Sequence, residues 1–399
     1  MSFPADPVPL RVKPSRHFPF VARHPWVHAH ALAEDGRDLK CGQVVDILDH
    51  DGQWLARGLI NPASRLRIRL LSFAIDQPVD ENLVLQQIDA AIARRRLQGP
   101  VQADGAERLI FSEADLLSGL IVDRYASYLA VQFASAAMMR FREPILAHLK
   151  STLAATAINI RVDERTAKNE GIEPENQWHG QAPDDPKVTY NANGLTFAVD
   201  LHGGQKTGGY LDQIDNQAAV AKYSKGKRVL DVCCYAGGFA LTAAKNGADR
   251  VVGIDSSALA LSEAAANAER NGVTNLEFIQ NDCFDALKDL ATAGETFDVI
   301  VLDPPRFAGS RHQIDSALRA YCRLNSMAVD LLPPGGILVT CSCSGRVTRS
   351  DFLNMLADVA RRRRRDMIVM ENRGASADHP MSISCPESDY LKCVIAQVD

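Results

Sequence analysis

No Cys-x-x-Cys pair occurs in this 399-residue chain, and no apolar run approaches the roughly 18 residues needed to span a bilayer. The first absence excludes zinc ribbons and thioredoxin-type redox sites; the second excludes an apolar transmembrane helix. The opening stretch "MSFPADPVPLRVKPSR" lacks the apolar core of a secretory signal, so a cytoplasmic location is expected. The Gly-x-Gly-x-x-Gly turn on which dinucleotide binding depends is absent too. Positive charge is not in excess: the formal net charge of -5 argues against indiscriminate polyanion binding, while leaving room for a local basic surface. The nine cysteines are odd in number and, apart from Cys41, lie in the second half, which fits reduced thiols rather than a disulfide framework.

What is present is an ordinary globular composition, 46% hydrophobic and 23% charged, at a length that implies two or three domains. Short strand signals fill the first 73 residues, including "QVVDILDHDGQWLARGLI" around the turn residues Asp51 and Gly52. "SRLRIRLLSF" alternates strictly, so Arg65, Arg67 and Arg69 share one strand face, read either as a solvated surface or as a nucleic-acid backbone contact. The first 73 residues hold ten Lys or Arg against seven Asp or Glu, a locally basic stretch in an acidic chain. An amphipathic helix is predicted from Asp76 to Leu97, stopped by Gly99 and Pro100. "GLIVDRYASYLAVQF" reads as a hairpin, "AINIRV" as a further strand, and "EGIEPENQWHGQAPDDPK" as a polar loop before "NGLTFAVDL" opens a new unit.

From Lys227 the rhythm changes. Apolar runs "RVLDVCC", "RVVGID", "LEFIQND", "FDVIVLD" and "GGILVTCSC" alternate with helical stretches, the signature of a doubly wound, mostly parallel sheet whose ligands sit at the strands' carboxyl ends. Those ends carry Asp231, Asp255, Asp282 and Asp303, and after the first come Gly237 and Gly238, which let backbone approach a ligand and aim helix amides at it. Asp255 stands where a carboxylate accepts ribose hydroxyls, and Asp282, with the Cys283 backbone, where an adenine amine could be read. Four acids in order behind a Gly-Gly loop resemble the class I S-adenosylmethionine-dependent methyltransferases. That resemblance implies a cofactor pocket to which Tyr235, Ala236, Ser256 and Pro304 also belong.

Two cysteines, Cys341 and Cys343, end the fifth strand. Extended residues two apart point the same way, so geometry does not choose between them. A thiol there has a chemical use, because carbon 5 of a pyrimidine is not nucleophilic until a thiolate adds to carbon 6.

The chain further resembles, nearly end to end, the PUA-domain-containing bacterial methyltransferases that make 5-methylcytidine in large-subunit ribosomal RNA. The stretches that carry the resemblance are "RHPWV", "RLRIRLLS", "EADLLSGLIVDRY", "GQKTGGYLDQIDNQ", "VLDVCCYAGGFAL", "DPPRF", "SCSG", "DHP" and "PESDYLK". It implies an α/β fold of three parts: a PUA-like small β-barrel over 1–73, a middle α+β domain over 74–190 and a class I (Rossmann-like) methyltransferase domain over 191–399. It further implies Cys343 as nucleophile, Cys341 as packing, Asp303 beside cytosine nitrogen 3, and Lys206, Tyr210 and Asp212 folded over the cofactor. The expected partner is 23S-type ribosomal RNA, touched by Arg65, Arg67, Arg69 and Arg306, with no metal, no membrane, and a homodimer left open. Two positions depart from the family's usual pattern: Ile214 replaces an arginine, and Arg306 replaces a lysine. Rival readings at this point are a guanine-amine methylase, a uridine carbon-5 methylase and a non-catalytic assembly factor.

Other features are read as structural. The run Arg361 to Arg365 ends a helix where cations favour its dipole; His24, His28 and His30 lack obvious partners, and Cys385, Cys393 and His379 fit no common zinc spacing.

Overall fold

The computed structural model describes residues 6–99, 102–204, 207–309 and 311–399. The chain forms two compact units, the first taking the chain up to Tyr190 together with Val199–Gly209 and Asp378–Ser388, the second taking the rest.

Two five-stranded sheets build the first unit. In one, β1 (Val8–Arg11), β2 (Trp26–His28), β3 (Val44–Leu48), β4 (Trp54–Ile60) and β5 (Leu66–Ser72) lie in the order β1-β3-β4-β5-β2, with the short helix α1 (Phe18–Val21) after β1. The β3–β4 hairpin turns because the Asp49 carboxylate accepts the Asp51 and Gln53 amides at 2.9 and 2.8 Å while Gly52 takes a left-handed φ of 87°. Val27, Val45, Ile47, Ile60 and Ile68 fill the interior.

Helix α2 (Glu81–Arg96) begins later than the predicted Asp76. Pro78 disfavours a helical residue before it, and the Asp80 side chain caps the helix by accepting the Leu83 amide at 2.9 Å, worth about 1 kcal/mol. Pro100, expected as a stop signal, lies outside the described residues. The second sheet holds β6 (Ala106–Phe111), β7 (Leu120–Tyr125), β8 (Tyr128–Phe133), β9 (Ala157–Val162) and β10 (Glu175–Gly180), in the order β10-β9-β8-β7-β6. Helix α3 (Arg142–Leu153) joins β8 to β9 and α4 (Glu164–Glu170) follows β9. Strand β10 falls inside the stretch expected to be a loop. It is an edge strand paired only to β9, and its polar "ENQWHG" carries no apolar alternation.

The expected arginine face of β5 is corrected here. Arg67 is buried, and Arg69 donates to Glu113, Ser118 and the Ala134 carbonyl at 3.1, 3.2 and 2.9 Å; of the three, only Arg65 is exposed. Glu170, at the end of α4, accepts from Asn61 and Ser64 in the turn between β4 and β5, and the Arg67 guanidinium donates to the Asn61 carbonyl at 3.5 Å, so Arg67 and Arg69 are engaged within the unit instead of facing solvent.

A hairpin of β11 (Lys187–Ala192) and β12 (Leu195–Asp200) leads onward. The second unit is a seven-stranded sheet flanked by helices: α5 (Ile214–Ala221), β13 (Arg228–Val232), α6 (Gly238–Lys245), β14 (Arg250–Asp255), α7 (Ala258–Arg270), β15 (Leu276–Gln280), α8 (Cys283–Thr292), β16 (Val299–Leu302), α9 (Ile314–Asp330), β17 (Gly336–Ser342), α10 (Arg349–Arg363), β18 (Met367–Arg373) and β19 (Lys392–Val398). The order is β15-β14-β13-β16-β17-β19-β18; the first five strands are parallel, and β19 runs antiparallel between β17 and β18.

Continuous apolar strands follow from burial on both faces. Val229, Val251, Val299 and Val339 pack with Ala240 and Ala243 of α6, while Leu230, Val252, Ile300 and Leu338 pack with Tyr321 and Leu324 of α9 and Phe352 of α10. Strand order reverses between β13 and β16, which opens a crevice at their carboxyl ends. Among the described residues no helix is long and apolar enough to cross a membrane.

Candidate active site

The first strand end is built around a buried acid. Asp231 is wholly buried; one carboxylate oxygen accepts the Ala240 amide at 2.9 Å, tying β13 to the first turn of α6, and the other has no partner among the described residues. Burial, then the nearby Asp303 and Asp255, push this carboxyl up to about 8. The loop that follows is tightly wound, with Cys233, Tyr235 and Gly237 at left-handed φ values of 63°, 48° and 84°. Such geometry costs the two non-glycine residues about 1 kcal/mol or more each and is found where a backbone is shaped for a ligand. Gly238 leaves room for the Gln217 amide: a Cβ there would lie 2.3 Å from the Gln217 side-chain nitrogen, so that side chain would have to move.

Asp255, ending β14, accepts the Tyr235 and Ser257 amides, each at 2.9 Å, and thereby braces the loop after β13. Ser256 is exposed beside it, and the Ala236 carbonyl accepts from Asn267 at 3.3 Å. Asp282 caps α8, accepting the Phe284 amide at 2.8 Å. The Cys283 thiol hydrogen-bonds that of Cys233, which lowers Cys283 and raises Cys233.

On the other side of the crevice, the Asp303 amide donates to the Val232 carbonyl at 3.2 Å, and Pro304 is buried behind it. The Tyr210 ring meets the Tyr235 ring edge-on at 5.0 Å. Burial raises the Tyr210 phenol, and Tyr235, Asp303, Asp212 and Cys343 raise it further, so these groups share one neighbourhood. Asp212 is buried and accepts the Tyr390 hydroxyl. Arg306 is exposed and turns its Nε back to the Ala308 carbonyl at 2.7 Å. Lys206 lies outside the described residues.

The two cysteines of the fifth strand have different surroundings. Cys341 is wholly buried between Val339 and Ile395 and pairs across the sheet with Cys393, whose hydrogen bond, with burial, drives the Cys341 thiol far up. Cys343 is half-buried, one residue past the strand, and stands between two serines that are each fully buried. The Ser342 hydroxyl donates to the Tyr321 hydroxyl at 3.0 Å, and the Ser344 hydroxyl lies 3.1 Å from the same oxygen. Lys392 Nζ donates to the Ser344 carbonyl at 2.8 Å. Tyr321, Tyr390 and Lys392 were not assigned roles from sequence. The only signal was the quoted stretch "PESDYLK" for the last two; Tyr321 reads as one more apolar position of an amphipathic helix.

The other flagged groups make contacts of their own. Arg361 and Arg362 pair with Asp358 of their own helix, Arg363 pairs with Asp330, and Arg365 donates to the Leu332, Pro333 and Val398 carbonyls, so four of the five arginines have partners within the unit. In the first unit His24, Cys385 and Glu387 bring three ligand-type atoms within 4.8 Å of one another. His24 Nδ1 accepts the Trp26 amide at 3.2 Å, which puts the proton on Nε2, 3.2 Å from Glu387. With both ring nitrogens so engaged, the group is a hydrogen-bonded cluster and offers no imidazole lone pair.

A doubly wound sheet with a buried acid and a tight Gly-Gly loop at its switch point is the arrangement of a cofactor-binding domain. A family model described as S-adenosylmethionine-dependent methyltransferase matches residues 174–378, just over half of the chain, and the chain belongs to that family. A PUA-like domain model matches residues 10–73. The chain is 38% identical over 393 residues to ribosomal RNA large subunit methyltransferase I of Shewanella denitrificans, covering 98% of this chain and 99% of that protein. It is 39% identical over 375 residues to the protein of the same name from Photobacterium profundum, covering 93% and 94%. Among solved structures, a candidate SAM-dependent methyltransferase from Streptococcus mutans shares the fold with a TM-score of 0.83 at 18% identity, covering 98% of this chain and 100% of that one. A candidate methyltransferase solved with SAH gives 0.84 at the same identity.

S-adenosylmethionine is the cofactor of this family, and the residues fit it. The orphaned oxygen of Asp231, on a carboxyl that burial keeps near 8, is an acceptor that a cationic ligand would satisfy and return to the ionised form.

Proposed function

We propose that this chain methylates carbon 5 of a cytidine in large-subunit ribosomal RNA, with Cys343 as the covalent nucleophile. The observation that supports this most is the contrast between the two cysteines: Cys341 is locked in the core against Cys393, while Cys343 is half-exposed in the neighbourhood of Asp303 and Tyr210. The relatives named above supply the RNA class.

In this reading Asp231, the Cys233–Gly238 loop, Asp255 and Asp282 hold the cofactor, with Tyr210 and Asp212 alongside; when bound, it supplies an electrophilic methyl group. The Cys343 thiolate adds to carbon 6, forming an S–C bond and making carbon 5 an enamine carbon, while Asp303 steadies ring nitrogen 3. Carbon 5 takes the methyl group. Loss of its proton then re-forms the 5,6 double bond and expels Cys343. The target base has to leave its stack to reach the thiol, and Arg65 and Arg306, both exposed, are the arginines proposed to touch the RNA backbone.

Incubation with methyl-labelled cofactor and large-subunit ribosomal RNA, followed by nucleoside digestion, tests the reading. Label in 5-methylcytidine supports it; label in a methylguanosine or in 5-methyluridine contradicts it.

A further inference from the structure

Lys392 is an unusual lysine. Its side chain is 2% exposed, although lysine is among the residues least often buried, and among the described residues no carboxylate lies within ion-pair distance of it. Its Nζ instead donates to two backbone carbonyls, those of Ser344 and Tyr390, each at 2.8 Å. In the antiparallel pairing of β17 with β19, Lys392 is the register partner of Ser342. The lysine therefore touches both flanks of Cys343: it pairs with the residue before it through the ladder and with the residue after it through the ammonium.

A buried ammonium without a counter-ion is costly, and replacing it with a hydrocarbon would relieve that cost unless the charge has a use. The titratable and charged groups that bear on it are Asp389, Cys343, Arg349 and Arg306. Burial draws the ammonium down to about 8; Asp389 and Cys343 pull it back up, while Arg349 and Arg306 press it lower. Asp389 is partly exposed and makes its own ion pair with Arg349 at 3.5 Å. Cys343, once ionised, is the counter-charge the pocket lacks.

We infer that Lys392 is the positioning residue for Cys343, holding the Ser342–Ser344 turn through the Ser344 carbonyl and favouring the thiolate of Cys343 by its buried charge. This rests on the reading of Cys343 as nucleophile given above. The role is electrostatic and geometric, and no bond to Lys392 forms or breaks.

The test needs no RNA. Full-length protein is alkylated with iodoacetamide across pH 6 to 9, and modification of the Cys343 peptide is followed by mass spectrometry in wild type, Lys392→Met, Lys392→Gln and Lys392→Arg. Glutamine keeps a donor for the Ser344 carbonyl but removes the charge, and arginine keeps the charge. Removing a cation bonded to the residue next to the thiol is expected to slow alkylation at pH 7 about ten-fold in both the Met and Gln variants, with the Arg variant close to wild type. S-adenosylmethionine affinity, measured by calorimetry, is expected to be unchanged in the Gln variant, which shows that the fold survives. Wild-type alkylation rate and pH profile in the Gln variant would overturn the inference. Failure of wild type to form a covalent adduct with RNA containing 5-fluorocytidine would instead sink the nucleophile reading, and leaves the alkylation result standing by itself.

Discussion

The backbone amide of Ala308 donates to the Ser344 hydroxyl across 3.2 Å, joining the loop that carries Asp303 to the turn that carries Cys343. The same hydroxyl is 3.1 Å from the Tyr321 hydroxyl, which also accepts from Ser342. One buried phenol from α9 therefore holds both serines of the Cys343 turn, and its ring lies 4.8 Å from that of Phe307 in the loop after Asp303.

Tyr321→Phe is expected to leave the buried Ser342 hydroxyl without its acceptor, at a cost of about 1–3 kcal/mol in stability. Because the cofactor loop after β13 is untouched, S-adenosylmethionine affinity should hold while turnover falls about ten-fold or more, as expected when reacting groups lose their alignment. Thermal melting, calorimetry and single-turnover methyl transfer would separate these three effects.

Asp231→Asn tests the buried acid. Its folded-state carboxyl lies near 8, above the usual value, so the protonated form stabilises the fold below pH 4 and that stabilisation is lost as pH rises toward 8. The wild-type melting temperature should fall from pH 5 to pH 8, and the asparagine variant, which cannot ionise, should show a flatter profile over that range. Cofactor affinity in the variant is expected to drop about ten-fold, since the partnerless carboxylate oxygen loses its charge. A wild-type slope retained in the variant would contradict the assignment.

Arg69→Met should destabilise the first unit by about 3–5 kcal/mol, because Glu113 and Glu170 lose a buried cation at 3.1 and 3.6 Å. Arg65→Ala, at an exposed position, should leave melting within about 0.5 kcal/mol of wild type and lower the salt-dependence of RNA binding by about one unit. Glu113 is held below the usual carboxylate range: burial opposes this, and Arg69 with hydrogen bonds from Ser118 and Trp26 outweighs it. That stabilisation is present above the unfolded pKa and lost as pH falls through the lowered one, so acid should cost the wild-type fold more than a Glu113→Gln variant.

The contrast between Arg69 and the strand-end acids shows what a sequence can disclose. Asp231, Asp255, Asp282 and Asp303 were legible because each stands within two residues of the carboxyl end of its own strand, and a doubly wound sheet brings those ends to one edge. Alternation in "SRLRIRLLSF" likewise assigned Arg65, Arg67 and Arg69 to one face, but what takes Arg69 out of solvent is Glu113 and Glu170, 44 and 101 positions away, and no local pattern announces them. Strand β10 escaped for a related reason, since an edge strand needs little apolar content. Tyr321 and Lys392 reach the Cys343 turn from 23 and 48 residues away from Ser344, through α9 and the antiparallel β19, and only the folded sheet brings them there.

Cys341→Ala removes a small buried side chain facing Cys393 and is expected to cost about 1 kcal/mol of stability while leaving methyl transfer within two-fold of wild type. Cys343→Ala should melt like wild type, bind S-adenosylmethionine normally and transfer no methyl group.

The most direct measurement is incubation of the wild-type, Cys341→Ala and Cys343→Ala proteins with S-adenosylmethionine and RNA containing 5-fluorocytidine, resolved under denaturing conditions. Fluorine at carbon 5 blocks the proton loss that frees the enzyme. The account predicts a denaturation-resistant protein–RNA adduct for wild type and Cys341→Ala and none for Cys343→Ala; no adduct with wild type, despite turnover on unmodified RNA, would contradict it.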